Sequence, residues 1–186
     1  MGEVFEFEEE KLIIGVIYHD EAVYEKAIAR LVSEFGEIDG ESERFSFSRE
    51  FSDYYDGELG GEGQRVILSF RDTVSPDRQA EIKLLTNAIE LELSDGHEGR
   101  LINLDPGFIN HGRLMLATTK KAGFRIPLRD GIYTELTLFY ARGEWHKLPW
   151  TYRDYQSERV QRFITKVRDS YLRDRREKMK NNSEMG

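Results

Sequence analysis

The sequence predicts an α+β fold: a ferredoxin-like βαββαβ core with an antiparallel sheet, extended by a C-terminal β-hairpin and a last helix. Three observations lead there. Residues 12–105 run through short strand-like and helix-like segments in the order β-α-β-β-α-β. Both helix-like segments carry start signals, Asp20 for the first and Ser75–Pro76 for the second. Residues 132–148 then hold two alternating runs joined across Arg142–Gly143, the mark of a hairpin.

Taken in order, Leu12–Tyr18 (LIIGVIY) is a branched apolar run and reads as a buried strand. Asp20 caps a helix in which Val23, Ala27, Ile28, Leu31, Val32 and Phe35 recur at helical spacing, and Gly36 ends it. Residues 42–51 (SERFSFSREF) set Phe45, Phe47 and Phe51 against charges and serines, which predicts a half-buried strand. Residues 56–63 (DGELGGEG) predict a mobile loop, and Gln64–Phe70 a second core strand. Ile82, Leu85, Ile89 and Leu93 mark the apolar face of a helix over about 76–94. A turn over 94–99 leads to a strand at Leu101–Leu104, and Asp105–Pro106–Gly107 reads as another turn. Residues 108–121 fit helix or strand; the reading adopted is a short helix from Asn110, closed by Gly123. Phe124–Leu128 is extended, with Pro127 placing it at an edge. Ile132–Ala141 should pair with Trp145–Leu148, and Ser157 should cap a last helix buried through Val160, Phe163, Ile164, Val167 and Tyr171. Residues 1–172 thus read as a single α+β domain, and residues 173–186 as a basic, disordered tail.

Composition narrows the function classes. Of 186 residues, 39% are hydrophobic and 33% charged, the balance of a soluble globular protein. No apolar run approaches the ~20 residues of a membrane span, so no membrane partner is expected. The acidic N-terminus lacks the features of a signal peptide, and with no cysteine a cytoplasmic location is the expectation. The net charge is −8, unevenly spread: residues 1–62 hold 18 acidic against 5 basic groups, residues 100–186 only 10 against 18. The acidic half argues against non-specific nucleic-acid binding, which needs a broad basic surface. The asymmetry itself has two readings: opposite halves facing each other, in the fold or across a homo-oligomer, or an anion site.

The usual chemical motifs are absent. There is no G-x-x-x-x-G-K-S/T phosphate loop, no G-x-G-x-x-G between strand and helix, and no G-x-S-x-G. The four histidines, His19, His97, His111 and His146, lack metal-ligand spacing, so no metal centre is predicted from them. His111 is the one candidate general base, against the plainer reading of an exposed loop residue. The glutamates of the glycine-rich loop would repel an anion. Lys83, Asn87 and Glu90, with Thr86, form one polar stripe on the second helix; a solvated face is the favoured reading, a cleft wall the other.

Residues 100–130 are the most informative stretch, with six Lys/Arg against two Asp/Glu in an acidic chain. Asp105 follows a strand and either presents its carboxylate or caps its own turn. Thr118, Thr119 and Lys120 offer hydroxyls and a cation, and Arg125 a guanidinium fork for phosphate or carboxylate. Glu135, inside the Ile132–Tyr140 strand, either faces water or is paired in a site. Trp150, Tyr152 and Tyr155 around Asp154 could stack a planar ring; pinning the segment to the core is favoured, because Pro149 fixes the chain just before it. The candidate ligand-binding set is therefore Asn103, Asp105, Thr118, Thr119, Lys120, Arg125 and Glu135. Its expected partner is a small phosphorylated or nucleotide-like anion held by Lys120 and Arg125, with Asp105 and Glu135 either binding Mg²⁺, a candidate cofactor, or moving a proton. The alternative is a non-catalytic module that assembles through its acidic and basic halves. The residues name no reaction, and RNA binding on the sheet is weak because QRVILSF lacks the aromatic platform signature.

The series NLDPG, ATTK, FRI, DGIYTELTL and PWTYRDY, with DYY and KLLTNAIE upstream, resembles an uncharacterised prokaryotic family of about 180 residues, catalogued as a domain of unknown function. The resemblance spans about Leu12 to Tyr171. It departs from the family pattern at Phe124–Arg125, where His-Arg is expected, and at Arg153, where Pro is expected. The family implies no established activity. Some members carry the label GTP-binding protein, which these residues do not support: the guanine-reading N-K-x-D motif is absent along with the phosphate loop.

Overall fold

The computed structural model describes residues 2–94, 96 and 99–184, with side chains described to Asn181. Asp95, His97 and Glu98 of the expected 94–99 turn, and Met185–Gly186 of the expected tail, lie outside the described residues. The elements are β1 (Glu10–Tyr18), α1 (Glu21–Phe35), β2 (Ile38–Glu41), β3 (Phe45–Ser46), α2 (Phe47–Glu50), α3 (Asp56–Leu59), β4 (Gln64–Val74), α4 (Gln79–Leu93), β5 (Ile102–Ile109), β6 (Arg113–Thr118), β7 (Ile126–Pro127), β8 (Tyr133–Ala141), β9 (Glu144–Lys147) and α5 (Glu158–Glu184). Single 3₁₀ turns precede α4 and α5, at Pro76–Arg78 and Asp154–Gln156.

All strands join one antiparallel sheet in the order β2-β4-β1-β5-β6-β8-β7, with β3 on β4 and β9 on β8. The fold is α+β. Its first half, β2-β4-β1-β5 with α1 and α4, is the order that two interleaved βαβ crossings produce. Strand β1 has helices over both faces, which explains its unbroken apolar run. Leu12, Ile14, Val16 and Tyr18 pack under α1 and α4, and Ile13 packs on the opposite side with Val160, Ile164 and Val167 of α5. Each fully buried aliphatic side chain contributes roughly 1.5–3 kcal/mol. The helix starts follow the sequence: Asp20 Oδ1 accepts from Ala22 N–H (2.7 Å) and Val23 N–H (3.3 Å), and Ser157 Oγ from Val160 N–H (3.4 Å).

The structure differs from the sequence-based elements in five places. The strand beside β4 is Ile38–Glu41, and residues 42–51 are largely not strand. Ser46 Oγ caps Arg49 N–H (3.3 Å), turning the chain into α2 after two strand residues. The glycine-rich segment contains α3, with Leu59 buried, and Gly63 N–H is held by Ser48 Oγ at 2.6 Å. Asp105–Pro106–Gly107 is not a turn but the middle of β5. The short helix expected from Asn110 is instead a hairpin to β6: Asn110 Oδ1 accepts from Gly112 N–H (2.9 Å) and Arg113 N–H (3.0 Å), which makes Asn110 a turn residue. Finally, the basic stretch from Arg173 continues α5 as helix to Glu184, with Lys178 3.2 Å from Glu9 and Arg175 paired with Glu8.

The DPG sequence shapes the sheet. The β5–β6 ladder covers only Gly107–Ile109 against Leu114–Leu116. Pro106, next along β5, has no N–H to offer, and the two strands part there. At Gly107 a Cβ would stand 2.6 Å from both Met115 O and Leu116 Cδ2, so only glycine lets β6 approach.

Two outcomes follow. Gly107→Ala should cost about 1–3 kcal/mol in chemical denaturation, the usual penalty of overpacking, while Gly112→Ala, with nothing within 4 Å, should be near neutral. Truncation after Leu172 should lower stability by no more than about 1 kcal/mol, since the pairs it removes are exposed and Tyr171, which donates to Glu9 O at 3.0 Å, is kept.

Candidate functional site

Where β5 and β6 part, the sheet opens into a cleft of about 620 Å³. Strand β5 supplies Asn103 and Asp105 to its wall, β6 and the residues after it Leu116–Lys120, and α4 Lys83, Asn87 and Glu90. Tyr54, Tyr55 and the 152–155 segment close the rest.

The parting leaves the Leu104 peptide without a β partner, and α4 satisfies it. Glu90 Oε1 accepts from Leu104 N–H at 2.6 Å, and Lys83 Nζ donates to Leu104 O at 2.7 Å. The α4 polar stripe is therefore buried against the sheet edge; Lys83, Thr86 and Glu90 are each less than one-tenth exposed. This overturns the solvated-face reading, because an unpaired strand edge demands side-chain donors and acceptors. Burial pushes the Glu90 carboxyl up to about 7, against the pull of Lys83, the Leu104 N–H and Arg100.

A buried cation lies below. Arg65, 2% exposed, reaches under β1 through space that a side chain at Gly15 would fill: a Cβ there would stand 2.6 Å from its Nη2. Its guanidinium lies 3.2 Å from Asp154 and 3.7 Å from Asp105, and donates to Tyr155 Oη at 3.2 Å. Burial works against its charge, but Asp154, Tyr155 and Asp105 more than offset it, and its pKa stays above the ordinary arginine value. The same Asp105 oxygen, Oδ2, accepts from Asn103 Nδ2 (2.7 Å), and Asn103 Oδ1 accepts from Arg100 (2.6 Å), which also pairs with Glu58 (2.8 Å).

Of the seven residues singled out from the sequence, Asn103, Asp105, Thr118, Thr119 and Lys120 line the cleft. Arg125 and Glu135 do not. They form a buried pair behind it: Arg125 Nε donates to Glu135 Oε2 (2.7 Å), Nη1 to Lys120 O (2.7 Å) and Nη2 to Tyr152 Oη (3.0 Å). Arg125 thus ties the Lys120 segment to the Tyr152 segment, and Glu135 is its counter-charge. Glu135 does not line the cleft beside Asp105, and its Oε1 is buried without a hydrogen-bond partner; among the described residues no group of three His, Cys, Asp or Glu is placed to hold a metal ion. His111 sits exposed at the β5–β6 hairpin, not in the cleft. Trp150 stacks on Phe124 at 4.7 Å and donates to Leu136 O at 2.9 Å, the pinning arrangement.

Sequence reasoning missed Arg65 and Arg153 as cleft residues and ranked the cleft-wall reading of Lys83 and Glu90 second. Arg65 carried a signal, a lone cation in a core strand. At the mouth, Lys120 Nζ lies 4.8 Å over the Tyr54 ring, and Arg153 is exposed. Among the described residues neither has a carboxylate partner, whereas the other cleft cations, Arg65, Lys83 and Arg100, all do.

The Glu90 environment has a measurable consequence. Between about pH 4.5 and 7 the folded chain keeps a proton on Glu90 that the unfolded chain gives up, so this group's contribution to stability falls as pH rises through that window. Glu90→Gln should therefore gain on the unmodified protein between pH 5 and pH 8, by on the order of 3 kcal/mol, in denaturant titrations at the two pH values. A gap that is the same at both would contradict the assignment.

Among the described residues no helix is long and apolar enough to cross a membrane. No curated protein and no solved structure matches the chain. A family model does, over residues 8–171, the whole of the sheet and the first half of α5: the chain belongs to the family described as domain of unknown function DUF4416.

Proposed function

We propose that the cleft at the β5–β6 parting binds a small phosphorylated or nucleotide-like anion. The observation that carries this is the pair of mouth cations without carboxylate partners, Lys120 and Arg153, above the buried cations Arg65 and Lys83. A cleft of about 620 Å³ suits a small molecule. Tyr54 and Tyr152, 65% and 41% exposed, offer faces on which the planar part of such a ligand can stack. Thr118 and Thr119 line the cleft beside Lys120, and their hydroxyls add neutral donors.

The alternative, assembly through complementary halves, rests on the charge asymmetry. Much of that asymmetry is met within the chain, by Arg113–Glu10 (2.6 Å), Arg100–Glu58 (2.8 Å), Arg159–Glu50 (3.3 Å) and Lys178–Glu9 (3.2 Å). Those pairs favour the ligand reading over the assembly reading.

Calorimetry against inorganic phosphate, sugar phosphates and mononucleotides tests it. Lys120→Ala and Arg153→Ala should each weaken binding about tenfold or more, as expected for a lost charge-assisted hydrogen bond, with the melting temperature unchanged. No heat with any of these anions, together with a salt-sensitive change of mass in sedimentation, would favour assembly instead.

A further inference from the structure

Asp105 stands apart from the other cleft carboxylates. Asp154 and Glu90 are almost wholly buried, with side chains 4% and 10% exposed, whereas the Asp105 side chain is 31% exposed and opens into the cleft. Its position is fixed without its acceptors being used up. Oδ2 accepts one hydrogen bond, from Asn103 Nδ2 at 2.7 Å. Arg65 Nη1 and Lys83 Nζ lie at 3.7 Å, close enough to compensate its charge but beyond hydrogen-bonding distance. Among the described residues no donor reaches Oδ1. An ionised carboxylate has about four acceptor sites on its two oxygens, so most of its capacity faces the cleft.

The surroundings decide what it accepts. Two cations beside it make a third, ligand-borne cation unfavourable, and its own charge repels a phosphate. A neutral donor is what remains. Hydroxyl groups fit: they donate without bringing charge, and a vicinal pair can donate to both oxygens of one carboxylate. The part-buried relay Arg100–Asn103–Asp105 orients the carboxylate, the pre-organisation that lets a site reject an analogue lacking the hydroxyl.

We propose that Asp105 is the hydroxyl-recognising residue of the cleft, and that the ligand is a phosphorylated polyol or sugar whose phosphate lies at Lys120 and Arg153 and whose hydroxyls lie on Asp105. This rests on the anion reading of the same cleft.

The test uses two ligands of equal skeleton, glycerol 3-phosphate and n-propyl phosphate, titrated calorimetrically into the full chain with inorganic phosphate as reference. Glycerol 3-phosphate should bind about tenfold or more tighter than propyl phosphate, the discrimination of a hydrogen bond to a charged acceptor. Asp105→Asn should remove that difference while leaving propyl phosphate binding unchanged or improved. Equal affinity of the two esters for the unmodified protein overturns the hydroxyl assignment alone, as does an Asp105→Asn variant that weakens both equally. Binding of none of the three overturns the anion reading and this inference with it. The comparison on the unmodified protein needs no variant to fold. Ribose 5-phosphate against its 2-deoxy analogue extends it to sugars, with the same sign expected.

Discussion

A buried guanidinium organises this protein. Arg65 sits within the sheet's second face with 2% of its surface exposed, and a guanidinium cannot shed its charge in a protein. Taking such an ion from water costs several kcal/mol unless opposite charge and acceptors are already in place. Here they come from two separate parts of the chain, Asp105 on β5 and Asp154 with Tyr155 on the turn before α5, while Gly15 on β1 leaves the room the guanidinium needs. None can shift without uncovering the charge, so the start of α5 is fixed to the sheet electrostatically as well as by Val160 and Ile164. The cleft lies along the side of this arrangement that water can reach.

The second constraint is a missing proton donor. Pro106 ends the β5–β6 ladder after three residue pairs, and Gly107 lets the remaining pairs come close. The strand edge so exposed could not stay bare inside a protein, because an unpaired buried peptide group costs about 1–3 kcal/mol. Lys83 and Glu90 meet that need from α4. A single imino acid therefore accounts for three things at once: the opening in the sheet, the two ionisable side chains buried beside it, and the freedom of Asp105 to face the cavity. Charged groups in the cleft are in this sense a consequence of how the sheet is interrupted.

Much of the architecture was legible in the sequence, because period and capping survive in any context. The β1 run, the Asp20 and Ser157 caps and the β8–β9 hairpin read correctly for that reason. What failed did so through local chemistry that competes with periodicity. DPG has the composition of a turn, yet it was in-strand, since an antiparallel strand tolerates Pro where its neighbour departs. Phe45–Phe47 alternates, yet Ser46 caps a helical turn there. The candidate site was legible in part. Asp105 and Thr118–Lys120 stood out because charge and hydroxyls cluster along the chain. Lys83 and Glu90 did not, because a polar stripe on a helix looks the same whether it meets water or an open strand edge. Arg125 and Glu135 stood out as charges among apolar residues, but a sequence shows no counter-charge, and the two pair with each other behind the cleft, leaving Glu135 Oε1 buried without a hydrogen-bond partner.

The charge asymmetry of the two halves can now be apportioned. Most cross-half pairs are solvent-exposed on at least one side, and pairs of that kind are each worth about 0–1 kcal/mol. They cannot be what stabilises the fold, which rests on two apolar clusters either side of β1. Their effect is on the field instead. By pairing with Arg100, Arg113, Arg159 and Lys178 in place, the acidic segments offset part of the basic half, while the cleft residues Lys120 and Arg153 have no carboxylate partner among the described residues. Under the proposed reading, a local excess of positive charge in such a space would raise the concentration of small anions there, and the acidic half would serve the site by offsetting part of the basic charge around it.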